Sequence, residues 1–281
     1  MTKNKVAIQG ELGAYSHIAC NEFFKSVEIK TCSTFEETFK VAYDDDSYKI
    51  IIPLENSLAG RVADIHYLLP KYKLQIHAEH FQRVEHNLLA RPESSFKDIK
   101  YVRSHAQAIG QCQSIIIKNK FKTIISADTA GSAKDLSEGK DKSIAAIASK
   151  LSAEIYKLKI LKENIEDEKD NVTRFLIMGK NILQPALGKK RYITSFLFKL
   201  KSKPAALYQS LGGFAINGVN LTKLQSYPEK NSFNSFFFLC DLDGHIEDQK
   251  VQKSLEELGL HCEDFHVLGV FEADSIREKK S

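Results

Sequence analysis

The 281-residue sequence has no apolar run approaching the roughly 20 residues that a helix needs to cross a bilayer, which excludes a helical membrane span. It has no dense Lys/Arg block and no aromatic residues interleaved with basic ones. Its formal charge of +4 is the small difference between 40 basic and 36 acidic side chains spread along the chain, which describes a solvated surface and not a nucleic-acid footprint. Behind Met1-Thr2-Lys3-Asn4-Lys5 there is no apolar secretory core and no small-residue cleavage pattern, so a cytoplasmic location is expected. Five cysteines, an odd number without a close C-x-x-C pair, exclude a disulfide framework and a zinc site of the usual spacing; they read as reduced packing residues.

What is present is α/β grammar. A strand at Val6 to Gln9, a glycine turn and an amphipathic helix carrying Ile18, Ala19, Phe23 and Phe24 open the chain. A helix around Phe35 to Val41, the Ile50-Ile51-Ile52 strand and a helix with Val62, Ile65, Leu68 and Leu69 complete a first lobe. A second lobe over about 76–158 repeats the plan, with strands at Gln75 to Val84, His86 to Ala90, Tyr101, Thr123 to Ile125 and Ala145 to Ala148. Its helices are expected at Ala106 to Ile117 and Leu151 to Leu158. The stretch Ile160 to Asp170 is polar and acidic, and Thr173 to Met178 is an extended apolar run that returns to complete a lobe. Residues 183–190, with Pro, Gly and a charge run, read as a linker. From 191 to 275 the order is βαββαβ, that of a ferredoxin-like domain.

Four strand ends open into clusters of hydrogen-bonding residues, the position where open α/β sheets hold ligands. They are Pro53 to Val62, Val102 to Cys112, Ile125 to Gly131 and Asn171 to Phe175, and together they predict one shared pocket. The Gly10 to Ser16 turn precedes a helix and can offer backbone N–H groups to an anion, a carboxylate before a nucleotide. It lacks both G-x-G-x-x-G and the Lys-[Ser/Thr] of a phosphate loop. Ser104 and His105 are adjacent in an extended segment and point to opposite sides, against a nucleophile–base pair; His105 reads as a structural hydrogen-bonder. His77, His80 and His86 spread over both faces of strand-like sequence with no carboxylate at ligand spacing, so no metal is assigned to them. Cys112 reads as a packed thiol.

Taken together these residues resemble the prephenate dehydratase family over nearly the whole chain. The family's Gly-x-x-Gly-x-Tyr-Ser turn stands at Gly10 to Ser16, its Pro-x-Glu-Asn-Ser motif at Pro53 to Ser57, its Ser-His-Pro-Gln-Ala motif at Ser104 to Ala108, and its Thr-Arg-Phe at Thr173 to Phe175. The resemblance implies a catalytic domain over 1–182 made of two lobes like those of periplasmic binding proteins, followed by an ACT regulatory domain over 191–275. With no chorismate mutase segment before Val6, it implies a monofunctional enzyme.

The implied reaction is decarboxylating dehydration of prephenate to phenylpyruvate, on the way to phenylalanine, without a cofactor or metal. Thr173 would donate a hydrogen bond to the departing hydroxyl, with Asn56, Ser104 and Gln111 as further catalytic donors. Ser57, Thr129, Ala130, Arg174 and Phe175 would line the substrate. Two roles are open to Arg174, pairing a substrate carboxylate or bracing its loop. Glu55 would repel a dianion, so it is read as turned outward to hold the loop.

Phenylalanine is implied as an allosteric effector contacting Ala205, Leu207, Asn220, Leu221 and Ser226 between ACT domains, hence a homodimer or homotetramer. The family's Glu-Ser-Arg-Pro is here Gln225-Ser226-Tyr227-Pro228, its Pro-Gly-Ala-Leu glycine is Ala205, Ala106 replaces the usual proline, and Ala14 stands where Thr or Ser is common. Arogenate dehydratase fits the same motifs. Against a non-catalytic two-lobed binding protein stand the lack of an export signal and the intact Thr173, and a pure amino-acid sensor leaves the four loops of residues 1–182 without a role.

Overall fold

A computed structural model describes residues 3–230, 232 and 234–277. The chain begins with β1 (Asn4–Gln9), α1 (Tyr15–Phe23), β2 (Val27–Cys32), α2 (Phe35–Asp44), β3 (Tyr48–Asn56), the two-residue β4 (Gly60–Arg61), α3 (Ala63–Tyr72) and β5 (Gln75–Arg83). Next come β6 (Asn87–Ala90), β7 (Tyr101–Ser104), α4 (Ala106–Gly110), α5 (Gln113–Asn119), β8 (Lys122–Ile125), α6 (Thr129–Glu138), β9 (Ile144–Ala148), α7 (Lys150–Ile155), β10 (Lys159–Lys162) and β11 (Val172–Gly179). The first sheet has the order β2-β1-β3-β11-β5, with β4 folded back on β3, and the second has the order β10-β6-β9-β7-β8. This is the two-lobed α/β architecture read from the sequence.

The central strands β6 and β9 of the second sheet are buried on both faces because, Asn87 apart, they are apolar at every position. Leu88, Ala90, Ala145 and Ile147 pack with Ile109, Ile115 and Ile116 of α4 and α5. Leu89, Ala146 and Ala148 face the other way, onto Ala133 and Leu136 of α6 and Ala153 of α7. Alternation along β6 and β9 thus sends successive residues into two different cores.

Two expectations change here. β5 is a strand of the first sheet, and β10 pairs antiparallel with β6, so the second lobe runs from β6 to β10 and not over about 76–158. The single helix expected over Ala106 to Ile117 breaks at Gln111 and Cys112. The Gln111 carbonyl accepts the Asp167 N–H (2.8 Å), and the Asp167 carboxylate accepts the Ser114 N–H (3.1 Å), so the polar stretch before β11 satisfies the backbone groups that the break exposes.

After 180–191, which hold no helix or strand, come β12 (Tyr192–Leu200), α8 (Ala206–Asn217), β13 (Leu221–Pro228), β14 (Phe236–Asp243), α9 (Gln249–His261) and β15 (Cys262–Glu272). They form an antiparallel sheet, β13-β14-β12-β15, in the expected βαββαβ order. Phe196, Phe198, Cys240 and Leu242 from one sheet face meet Phe214 of α8 and Val251, Leu255 and Leu258 of α9. The two helices touch at Gly213, where a Cβ would lie 2.5 Å from Glu257 Oε2, so only glycine fits without rearrangement.

By density of contacts the chain forms two compact units, one of Met1–Thr38, Ile51–Val62 and His80–Phe175, the other of Phe39–Ile50, Ala63–Glu79 and Leu176–Ser281. Within the latter, α3 and β5 hold the C-terminal sheet by polar and aromatic contacts. His66 Nε2 lies 3.1 Å from Gln225 Oε1, and its ring meets Tyr227 edge-on at 5.2 Å. The two residues that depart from the family signature are therefore the ones that reach α3. On β5, the fully buried Glu79 carboxylate takes a two-pronged bond from Arg277, at 2.6 and 2.8 Å. Removing one partner of such a pair strands the other charge in the interior, so Arg277→Ala is expected to destabilise this unit by about 3 kcal/mol, read as a loss in denaturant midpoint. A loss below about 1 kcal/mol would show that the pair holds nothing in place.

Candidate active site

β3 ends by turning back on itself. Glu55 pairs with Arg61 and Asn56 with Gly60, and Gly60 takes the positive φ of 77° that the tight return requires. Within this hairpin Asn56 Oδ1 accepts the backbone N–H groups of Leu58 (3.0 Å) and Ala59 (2.8 Å), the asparagine turn that makes this residue type favourable here. With its oxygen held inward, the amide must present Nδ2 to β11. Its two hydrogens meet Asn171 Oδ1 at 2.6 Å and Thr173 Oγ1 at 2.9 Å. Ser57 stitches the same hairpin to β11: its hydroxyl donates to the Asp170 carbonyl (2.9 Å) and accepts the Val172 N–H (3.0 Å).

The break between α4 and α5 delivers Gln111 to the same place. Gln111 Oε1 accepts from Asn171 Nδ2 at 3.0 Å and lies 2.9 Å from His86 Nε2. His86 Nδ1 in turn lies 2.9 Å from the Tyr15 hydroxyl, which is also 2.7 Å from the Glu85 carbonyl oxygen. Asn171 and His86 are buried, Thr173 is 8% exposed, and all of these residues belong to one compact unit.

Burial, opposed by the Gln111 hydrogen bond and by Glu166, holds the His86 imidazole below its usual pKa. Burial, reinforced by Cys112, Glu166 and Glu85, holds the Tyr15 hydroxyl well above its own. Both are neutral at pH 7. The Cys112 thiol is raised by burial and then by Asp167 and Glu166, so it is a packing group and not a thiolate.

The result is a site of neutral donors. Thr173 Oγ1 accepts from Asn56, and Gln111 Oε1 already has two partners. Among the described residues no acceptor takes the Thr173 hydroxyl hydrogen or the Gln111 amide hydrogens. Both groups therefore have donors to offer a ligand. Arg174 Nη1, by contrast, donates to Glu55 Oε1 at 3.1 Å, with only 2% of the arginine side chain exposed.

The prephenate dehydratase profile matches residues 6–182. The chain belongs to the prephenate dehydratase family. It is similar to the Komagataeibacter europaeus protein named bifunctional N-acyl-homoserine lactone acylase/prephenate dehydratase, with 39% identity over 98% of both chains. It is 32% identical to the Arabidopsis thaliana arogenate dehydratase/prephenate dehydratase 1, over 98% of this chain and 74% of that one. Its fold matches the prephenate dehydratase of Arthrobacter aurescens, solved with L-Phe, at a TM-score of 0.88 and 26% identity over 96% of this chain and 90% of the other.

Of the site residues expected from the sequence, the structure brings together Asn56, Ser57, Gln111 and Thr173. Others it places elsewhere. Ser104 is fully buried and its hydroxyl donates to the Ile147 carbonyl at 2.7 Å, so its hydrogen is used within the second sheet. The Ala130 side chain is buried inside α6, and Thr129 is half-buried at its first residue. No hydrogen bond among the described residues joins either to the network. Phe175 is core at 2% exposure. Arg174 is ion-paired with Glu55, the contact that its loop-bracing reading describes. Ser57 is a structural stitch, both sides of its hydroxyl being engaged.

The Gly10 to Gly13 turn is packing too. Ser149 and Ser152 both donate to the Gly13 carbonyl, and a Cβ there would lie 2.5 Å from Ser152 Oγ. His105 caps α4, its Nδ1 accepting the Gln107 N–H. Sequence reasoning gave no site role to Asn171, His86 or Tyr15, although Asn171 stands in one of the four strand-end loops and Tyr15 in the Gly10 to Ser16 turn. The signal for Asn171 was its place beside Thr173; a dispersed histidine and a turn tyrosine carry none until the chain folds.

His17, His77 and His86 all have pKa values below the usual 6.5, burial being the leading cause in each. As pH falls through 6.5 the unfolded chain binds these protons and the folded one does not, so folding stability declines below that pH and is intact above it. His86→Gln removes one of the three contributions. Its unfolding free energy is expected to fall less steeply than wild type between about pH 6.5 and about pH 5, and an unchanged slope would show that His86 titrates alike in both states.

Proposed function

We propose that this chain converts prephenate to phenylpyruvate, carbon dioxide and water, through a site of fixed neutral dipoles. The observation that carries the reading is Thr173: its oxygen is held as an acceptor by Asn56, which leaves its hydrogen for an oxygen placed before it. In the reaction the ring C–O bond breaks with its electron pair on oxygen. The C–C bond to the ring carboxylate breaks as well, and its pair enters the ring, which becomes aromatic. The departing oxygen needs a hydrogen bond most when its charge develops. A donor already polarised by Asn56 stabilises that state more than the ground state. Gln111 supplies a second donor with its Nε2 group. A threonine hydroxyl is a weak acid, so Thr173 acts as a hydrogen-bond donor, and solvent supplies the proton that makes water.

Arogenate differs from prephenate by an amine in place of the side-chain ketone and meets the same donors; the likeness to the Arabidopsis relative gives it standing as a second substrate. The acylase in the name of the Komagataeibacter relative calls for a nucleophile beside a base. Ser104 is instead bonded to backbone, and the Cys20, Cys112, Cys240 and Cys262 thiols are raised by burial, which supports the lyase reading.

With prephenate and arogenate supplied separately, wild-type protein is expected to release phenylpyruvate from the first, phenylalanine from the second if it accepts it. Thr173→Ala should lower kcat at least about tenfold with the fold intact. No turnover of either substrate by wild type would remove the reading, and near-normal Thr173→Ala would remove that residue's role.

The C-terminal region we read as an ACT domain regulated by phenylalanine, in a cytoplasmic homodimer or homotetramer. A cavity of about 580 Å³ is lined by Ala205, Leu207, Tyr208, Phe236 and Lys199. Asn220, Leu221 and Ser226 lie outside it. Asn220 and Leu221 follow the 12-residue α8, whose length of about 18 Å separates them from its N-terminal end. One ligand can meet both ends only if two copies contribute, which supports an effector site shared between subunits. Ala205 adopts a φ of 59°, the left-handed conformation that suits the family's glycine and strains alanine, so the ledge keeps its shape despite the substitution. Phenylalanine is expected to lower activity and Leu207→Lys to abolish that response while leaving uninhibited turnover unchanged. Equal inhibition of both would place the effector elsewhere.

A further inference from the structure

The Leu58 and Ala59 N–H groups fix one end of a hydrogen-bond chain whose direction can be followed atom by atom. They hold Asn56 Oδ1, so Nδ2 must donate to Asn171 Oδ1 and Thr173 Oγ1. Asn171, with its oxygen taken, donates through Nδ2 to Gln111 Oε1. Gln111 Oε1 also faces His86 Nε2, which must therefore carry the ring hydrogen. A neutral imidazole carries one such hydrogen, so Nδ1 is bare, and the single Tyr15 hydroxyl hydrogen is shared between it at 2.9 Å and the Glu85 carbonyl oxygen at 2.7 Å.

We propose that Tyr15, His86 and Asn171 are positioning residues that set the polarity of this chain, so that Thr173 and Gln111 both present hydrogens, and not lone pairs, to the reacting molecule. The inference rests on the lyase reading of Thr173 and Gln111. A reversed amide at either asparagine would leave two donors or two acceptors facing each other, and Gln111 would then turn its carbonyl oxygen toward a dianionic substrate. That outcome repels where the present one attracts.

The distal end also tolerates a proton. Tyr15 has a second acceptor in the Glu85 carbonyl, so a protonated His86 can donate from Nδ1 to Tyr15 while Tyr15 donates to Glu85. Nε2 carries its hydrogen in both states, and the arm toward Gln111 keeps its direction. Tyr15 thus acts as an adjustable end to a chain whose other end is fixed by backbone.

Two measurements test this on the full-length protein. In protein labelled with ¹⁵N-histidine, His86 is expected to resonate as the Nε2–H form with a bare Nδ1 near neutral pH, assigned by its loss in His86→Gln. A predominant Nδ1–H form would overturn the proposal. In the second, Asn171→Asp is nearly isosteric but cannot donate to Gln111. It is expected to lower kcat on prephenate at least about tenfold while changing KM less than about threefold, and Tyr15→Phe by about two- to fivefold. Because both act through one chain, the double variant should lose less than the product of the single losses. If wild type turns over prephenate and Asn171→Asp matches it within twofold, or the two losses multiply, this proposal fails and the lyase reading stands. If wild type itself is inactive, the lyase reading fails.

Discussion

The site depends on how the Asn56 amide is held. Two backbone N–H groups of its own hairpin take its oxygen, and every other orientation in the network follows from that constraint, since each amide has one end that gives and one that accepts. The hairpin itself depends on Gly60 for its return and on Ser57 for its attachment to β11. Three parts of the chain far apart in sequence, around residues 56, 111 and 171, are thereby locked to one another by neutral hydrogen bonds. In a buried setting such bonds are strong when all are made and costly when one is missing, which favours a single arrangement.

The electrostatics are consistent with that economy. The Arg174 guanidinium, next in sequence to Thr173, is tied to Glu55, and His86 and Tyr15 are kept uncharged by burial. What the network offers a ligand is oriented dipoles. Such dipoles need no reorganisation as charge moves during the reaction, which suits a step in which negative charge leaves a carboxylate and gathers on a departing oxygen.

The C-terminal region is attached by a different chemistry. A buried carboxylate on β5 grips Arg277, and aromatic edges from α3 meet β13 at the residues where the family signature has changed. α3 follows directly on the hairpin that carries Asn56 and Ser57. The segment that carries the Asn56 network and the segment that touches the C-terminal sheet are consecutive in the chain.

The order of strands and helices, the βαββαβ tail and the residues at strand ends were legible in the sequence because they rest on local signals: alternation, helical spacing, and Gly, Pro and Asn at turns. So were Asn56 and Thr173, through motifs, and Gln111, through the strand-end loop that holds it. The break before α5 was not, since it exists only because Asp167 reaches back to satisfy the exposed backbone. Nor was the burial of Ser104 or the pairing of Arg174 with Glu55, because a side chain's partner is set by what the fold brings opposite it. The sequence by itself determined which residue types stand at the ends of the strands. Only the tertiary structure decided which of their hydrogens remain for a ligand, because a hydroxyl or amide has few bonds to make and neighbours remote in sequence claim them first.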